Sequence, residues 1–383
     1  MTDALPGVAL YVHWPYCARI CPYCDFNVVR ARGREAEADA LADALLADLD
    51  AQAARLRPRP LVSIFFGGGT PSLMPPGRVA EVIARARDLF PATDPVEVTL
   101  EANPTDAEAD RFAAFAAAGV TRLSLGVQSL DDAALAFLGR NHSGEEARRA
   151  VALAGRHFDR LSIDLIYARP GQTVDDWRAE LLWALDSGFE HVSPYQLTIE
   201  PETAFGRAVR RGVWSPPDEA LAADLYDATQ SILGQAGFEA YEVSNHARDP
   251  AARSQHNLHV WRAGDYLGLG PGAHGRLTLD GQRTATVAHR RVADYVAGVA
   301  SGSPWSEVTS LSAPEADEEA VLLGLRTVEG VALPRLERLG LSVDTAPLGD
   351  LLADGFLVPT GDRIVATPKG RPVLDGVLKA LLT

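Results

Sequence analysis

Apolar positions in the first two hundred residues fall into short, nearly unbroken runs. Between them lie longer stretches in which apolar residues recur every three or four positions. Residues 8–13, 61–66, 96–101, 121–127, 160–166 and 191–197 read as buried strands. Residues 34–56, with Leu41, Leu45 and Leu49 at helical spacing, read as a helix that Pro58 and Pro60 stop. Helices are also predicted over 77–89, 105–118, in segments to about His157, and over 173–187, with Gly119 placed to cap the second of these. Strands without polar alternation are covered on both faces, and crossover helices make them parallel. Six such units predict an α/β fold, a partial (β/α)6 barrel whose chemistry sits at the C-terminal strand ends. An open doubly wound sheet satisfies the same periodicity.

The pattern changes after about residue 200. A helix is predicted over 218–236 and a strand over 238–243, followed by glycine-rich and polar loops around 245–275. Beyond Pro304 come helices at 314–328, 333–339 and 345–354. Strands at 356–358 and 363–366 follow, joined by the turn Pro359-Thr360-Gly361-Asp362, and a last helix at 368–381. The predicted organisation is a barrel over 1–200, a C-terminal α+β region beginning with an extension over 201–303, and a winged-helix-like module over 304–383. That last shape suggests DNA binding, but the module carries many acids and little clustered base, which favours a packing or partner role.

Composition narrows the classes. The 383 residues are 47% hydrophobic and 23% charged, with a formal charge of −15. Such a balance argues against a general nucleic-acid binder and against an anionic membrane surface as main partner. No apolar run approaches the ~18 residues of a membrane span. The N-terminus, Met1-Thr2-Asp3-Ala4-Leu5-Pro6, lacks the basic and apolar regions of a secretory signal, so a reducing cytoplasmic compartment is expected.

The chain's three cysteines lie within eight positions, in Tyr11-Val-His-Trp-Pro-Tyr-Cys17-Ala-Arg-Ile-Cys21-Pro-Tyr-Cys24-Asp25-Phe26. This Cys-x3-Cys-x2-Cys spacing puts three thiolates on one loop, directly after the first strand. A cubane of four irons held by three cysteines keeps one iron open to a small ligand. A zinc site with His13 as fourth ligand, a disulfide with one cysteine left over, and simple packing thiols are the alternatives. The strand ends carry further polar or glycine residues. Gly67-Gly68-Gly69-Thr70 closes the second, and glycines there let backbone approach a ligand. Glu101 ends the third, where its carboxylate can accept from a hydroxyl or an ammonium, or help cap the next helix. Gln128 ends the fourth. Arg140 lies just beyond, able to pair with a carboxylate, and Asp164 sits inside the fifth, where a carboxylate needs partners.

The cysteine loop resembles the cluster loop of the radical S-adenosylmethionine (SAM) superfamily. The resemblance implies a [4Fe-4S] cluster on Cys17, Cys21 and Cys24, with SAM chelated to the open iron. Tyr11, Gly67–Thr70, Glu101, Gly-Val-Gln128, Gly-Arg140 and Asp164-Leu-Ile-Tyr together resemble the oxygen-independent coproporphyrinogen III oxidase branch, over roughly residues 8–300. In that branch the matching positions bind cluster and SAM, which implies SAM contacts for Tyr11, Tyr23, Gly68, Gly69, Thr70, Glu101, Gln128, Arg140 and Asp164, and less directly Thr198. Two departures are similar instead to the heme-chaperone (HemW-like) members. Phe26 stands where the oxidases have a further cysteine, and only sixteen residues precede Cys17. His256-Asn257-Leu258-His259-Val260-Trp261 nearly matches their His-Asn-x-x-Tyr-Trp signature, with Val260 in place of tyrosine. The resemblance implies heme as a third cofactor, with His256 the candidate iron ligand, His259 a substitute and Trp261 a stacking partner. It further implies heme-accepting cytochromes or respiratory enzymes as partners, a donor such as bacterioferritin, transient membrane association and a homodimeric option. The oxidase activity itself is the alternative, and the residues leave open whether SAM is cleaved or serves as a bound switch.

Overall fold

The computed structural model describes residues 7–91 and 95–383. The hexapeptide read for a signal lies outside the described residues. Six strands form the heart of the molecule: β1 (Val8–Trp14), β2 (Leu61–Gly68), β3 (Glu97–Ala102), β4 (Arg122–Gln128), β5 (Arg160–Tyr167) and β6 (His191–Gln196). Each is parallel to the next, and their order in the sheet is their order in the chain. That order decides between barrel and doubly wound sheet. A doubly wound sheet reverses direction at a switch point. Right-handed crossovers that always step the same way put every helix on one face, and the sheet curls around the other. The six-unit α/β reading therefore holds.

The helices take the periodicity predicted for them, with local corrections. Glu35–Ala53 buries Leu41, Leu45 and Leu49 on one face, and Pro76–Leu89 buries Val79, Val82, Ile83 and Ala86. Gly144–Ala154 and Val174–Asp186 both start with capping boxes, Ser143 with Glu146 and Thr173 with Asp176. The helix predicted over 105–118 is two pieces, Asp106–Ala109 and Phe112–Ala117. Arg111 at the break points its guanidinium at the carbonyls of Ser72 and Met74, tying this segment to the turn after β2.

The main difference from the sequence reading lies in residues 245–275. The short run Asp265–Leu269 is a strand, β7, parallel to β1 along the barrel's other edge. It continues into an antiparallel meander, β8 (His274–Leu279), β9 (Gln282–Ala288) and β10 (Trp305–Ser310). Periodicity could not reveal β7, because two of its neighbours and Gly268 within it are glycines. A Cβ on Gly268 would fall 1.9 Å from the His274 carbonyl oxygen, so the strand crossing permits no side chain. At the opposite edge the strand predicted over 238–243 shrinks to Glu239–Ala240, paired with His246–Ala247, which in turn pairs with β6. Tyr241 and Glu242 are instead buried.

β10 runs in the large sheet, so the chain's second core begins after it. Helices Ala313–Gly324, Leu333–Arg338 and Leu348–Ala353 pack with a three-stranded sheet of Val331–Ala332, Arg363–Ala366 and Leu357–Thr360 around Val321, Leu336, Leu348 and Ile364. Ion pairs join this module to the meander: Glu319 takes Arg276 at 2.7 Å and Arg283 at 3.1 Å, and Arg283 also reaches Asp265. Among the described residues no helix is long and apolar enough to cross a membrane.

Candidate functional site

The C-terminal ends of β2 to β6 and the loop after β1 open on one cavity of about 420 Å³. Cys17, Cys21 and Cys24 all line it as free thiols, Cys17 buried and the other two partly exposed. The loop is pinned on both sides. Val29 N–H donates to the Pro15 carbonyl and Ala31 N–H to that of Cys17, while Cys24 N–H closes a turn on Cys21. Asn27 anchors it from a distance, its side-chain amide donating to the carbonyls of Pro271 and Arg290 at 2.8 Å each. Burial pushes the Cys17 thiol up to about 12 and Cys24 to about 11, so a metal must displace their protons. His13 is no fourth ligand: Nε2 donates to the Asn27 carbonyl at 2.8 Å and Nδ1 accepts from the Tyr11 hydroxyl at 3.0 Å. Among the described residues no three His, Cys, Asp or Glu side chains converge as around a single ion. Three sulfurs that each meet a different iron need no such convergence, and the donor set fits a cubane.

The glycine run passes directly beneath this loop. Gly68 has φ +109°, and a Cβ there would lie 2.7 Å from the His13 ring; on Gly69 it would lie 2.7 Å from the Pro15 carbonyl carbon. The amides of Gly69 and Thr70 are spent on the Trp14 and Tyr16 carbonyls, at 2.8 and 2.9 Å. A ligand's ammonium, being a donor, would be received here by carbonyl oxygens rather than by the bare N–H groups that glycines suggest. Thr70 is buried, and its hydroxyl meets the Cys17 thiol and the Asn103 amide.

Glu101 and Asp164 both line this cavity, close enough to interact electrostatically. Burial, then the Asp164 charge, pushes Glu101 up to about 8, against a partly compensating Gly68 N–H. Burial also raises Asp164, which accepts from Ser124 at 2.9 Å and Ser162 at 3.1 Å. Two neighbouring half-buried carboxylates call for a cationic ligand, and SAM carries an ammonium and a sulfonium. Arg140 supplies the opposite sign. Its Nη2 donates to the Gly126 carbonyl at 2.9 Å and to Asn103 Oδ1, its Nη1 lies 3.4 Å from the Cys21 sulfur, and its buried Nε has no partner among the described residues. An orphaned guanidinium N–H beside the cysteines fits a ligand carboxylate.

Gln128 lines the same space from a left-handed backbone, φ 66°, at a bulge between Leu125 and Gln128. Such a conformation in a non-glycine residue re-aims its side chain at a cost. Tyr23 lines the cavity too, against the ring of Phe205, and Thr198 sits on the far wall. Asn103 and Tyr195 were not singled out as ligand contacts. Both stand at strand C-terminal ends, the one signal that could have found them.

Tyr11 stands near the first cavity without lining it: burial, then the nearby Glu101 charge, keeps its hydroxyl protonated. It lines a second cavity of about 840 Å³ that shares Asp25, Phe26 and Tyr195 with the first. Its walls are aromatic, with Phe65, Tyr266 and Trp261 beside Tyr11. Residues 255–261 are a helix, Gln255–Trp261, capped by Ser254, where the sequence suggested a loop. The helix puts His256, Asn257, Val260 and Trp261 on the cavity wall. His259 falls off that face and donates to the Asp265 carbonyl at 2.8 Å, so it is no substitute ligand. Burial, then His259, pushes His256 down to about 3, which keeps its imidazole neutral. Its Nδ1 is hydrogen-bonded to Ser63 Oγ at 3.0 Å, and its ring packs on Phe65. With Nδ1 protonated and donating, Nε2 keeps a free lone pair, the form that binds iron.

Comparison with known proteins gives this geometry a lineage. Residues 11–184 match the radical SAM superfamily, and 311–373 match the HemN C-terminal domain. The chain is 40% identical to mouse radical S-adenosyl methionine domain-containing protein 1, mitochondrial, over 99% of its own length and 88% of that protein's. It is 37% identical to the heme chaperone HemW of Escherichia coli, over 99% of both chains, and 38% identical to that of Mycobacterium tuberculosis, over 99% and 97%. Among solved structures it resembles coproporphyrinogen III oxidase (HemN) from Escherichia coli, with a TM-score of 0.82, 22% identity and coverage of 99% and 90%. The radical SAM superfamily is defined by a [4Fe-4S] cluster and SAM, the two groups that the cysteines and the cavity's charges fit. The chain belongs to the HemW-like family of the radical SAM superfamily.

Proposed function

We propose that this protein is a heme chaperone, holding a [4Fe-4S] cluster and SAM in the first cavity and heme in the second. The observation that carries the reading is the second cavity itself: aromatic, about 840 Å³, walled on one side by the cluster loop and bearing a neutral, Ser63-oriented His256. A flat apolar macrocycle asks for such walls, and its iron for such an imidazole. Phe26 supports the chaperone over the oxidase. It is 62% exposed and sits on the shared wall, where the oxidase branch has another cysteine. Val260 removes a phenol from the heme wall and leaves the imidazole in place.

In this reading the protein's own groups divide the work. The thiols of Cys17, Cys21 and Cys24 give up protons and hold the cluster. Carbonyls of the Gly67–Gly69 stretch and Glu101 receive the cationic groups of SAM, Arg140 its carboxylate, and Tyr23 covers its apolar face. The cluster with bound SAM supplies one-electron reductive chemistry. Acceptors would be heme-requiring respiratory proteins in a reducing cytoplasmic compartment, with a heme donor such as bacterioferritin upstream and a homodimer as the assembled form.

The test is anaerobic reconstitution followed by heme titration of wild type and His256→Ala, then transfer to an apo-cytochrome. The expected result is stoichiometric heme binding that weakens at least about tenfold in the variant, the least that losing even a partner of a metal ligand typically costs, and heme appearing in the acceptor. Unchanged affinity in His256→Ala would remove the ligand assignment. Conversion of coproporphyrinogen III to protoporphyrinogen IX with SAM and reductant would replace the chaperone by the oxidase.

A further inference from the structure

The second cavity is not built by the barrel alone. Arg326, which follows the helix Ala313–Gly324 of the C-terminal module, lines it together with Trp261 of the barrel side. Its guanidinium lies 4.6 Å from the centre of the Trp261 ring, stacked on the indole. Among the described residues its one ion pair is loose: Glu242 Oε2 is 3.7 Å away, beyond hydrogen-bond reach. The other Glu242 oxygen is engaged by Ser244 N–H and the Asn245 amide. Arg326 Nε and Trp261 Nε1 are both buried and make no hydrogen bond among the described residues.

Neighbouring arginines of the same junction show what a satisfied guanidinium looks like. Arg262 makes a two-pronged pair with Glu329, at 2.7 and 2.5 Å, and Arg363 donates to the Glu329 and Gly330 carbonyls at 2.6 and 2.7 Å. Arg326 is thus an under-bonded cation fixed flat against an aromatic wall, beside a second unpaired donor. That combination suits a planar ligand carrying a carboxylate, because a guanidinium meets a carboxylate with two parallel N–H···O bonds. Heme carries two such groups as propionates.

We infer that Arg326, presented by the C-terminal module and braced on Trp261, is the carboxylate-binding residue of the second cavity, so that the module completes the porphyrin site. This rests on the heme reading above and adds to it the group that selects a free propionate. Glu242 is then the competitor that holds Arg326 in the absence of ligand.

The experiment compares heme with its dimethyl ester, which has the same ring and iron but no free carboxylate. Wild-type protein is expected to bind heme about tenfold or more tighter than the diester, the usual worth of a charge-assisted pair. In Arg326→Ala that ratio should fall to near one, and in Arg326→Lys to an intermediate value. Because a ratio is read, a partly unfolded fraction cancels. Glu242→Gln, which frees the guanidinium, should widen the preference and serves as the arm that does not truncate Arg326. An undiminished preference in Arg326→Ala, or no preference in wild type, would overturn the inference while the heme reading stands. Wild-type protein that binds neither porphyrin would overturn both.

Discussion

At the scale of single residues, Glu101 is the most consequential ionisable group outside the cysteine loop. The folded chain holds its proton up to about 8, and the unfolded chain releases it near the ordinary 4.5. Folding stability from this group therefore falls as pH rises between those values. Glu101→Gln should raise the unfolding free energy of the ligand-free protein at pH 7, on the order of 2 kcal/mol, and abolish SAM binding. The same logic predicts that SAM binding at pH 7 releases a proton. Calorimetry in two buffers of different ionisation enthalpy reads that proton directly; equal heats in both would refute it. Ser63 acts at the same scale but through His256. Ser63→Ala should leave heme bound more weakly, with a shifted iron–imidazole spectrum, because the ring loses the partner that fixes its tautomer. An unchanged spectrum would show that Ser63 merely fills space.

Among elements, the helix Gln255–Trp261 matters most, since it turns a sequence motif into a wall. Its start is fixed by the Ser254 side chain accepting from Asn257 N–H, and by Glu97 accepting from His256 N–H at 3.0 Å. A buried chain of hydrogen bonds reaches it from the first cavity: Asp164 to Ser162, Ser162 to His191 at 2.8 Å, His191 to Tyr241 at 2.9 Å, and Tyr241 to Ser254 N–H at 3.2 Å. Ser162→Ala leaves Asp164 and His191 short of a partner and should cost roughly 1–3 kcal/mol in chemical denaturation. Ser254→Ala should cost about 1 kcal/mol and also weaken heme, since a frayed helix misplaces His256. Loss of stability without any change in heme affinity would detach the helix from the site.

For the molecule as a whole, closure depends on contacts between distant parts of the chain. Asp48 on the first helix accepts from Tyr295 at 2.7 Å and from Gln52 at 3.1 Å, joining residues 247 positions apart. Burial pushes it up to about 6, so its proton is kept on folding and stability falls as pH rises from the ordinary 3.8 to that value. Asp48→Asn should flatten that part of the pH–stability curve. A curve of unchanged slope between pH 4 and 6 would locate the titration elsewhere. The clamp from Arg276 and Arg283 to Glu319 holds the C-terminal module on the meander, and the module in turn carries Arg326 to the second cavity.

Local information was enough for the six βα units, the cysteine loop and the polar residues at strand ends. Each depends on periodicity or spacing within a few residues, and that is written along the chain. The parallel β7 was hidden, because its parallel partner β1 is more than 250 residues away and its glycine gives no propensity. Sequence put Tyr11 among the SAM contacts; the folded chain sets it on the wall of the second cavity, within electrostatic reach of Glu101. It read His259 as a spare ligand, and helical geometry carried it to another face. Asn27 and Arg326 gave no local sign at all, since what they do is set by carbonyls and an indole brought near only by folding. Chemistry of type is local and so was legible beforehand. Which side chain faces which cavity is a matter of tertiary direction, and only the packed molecule could decide it.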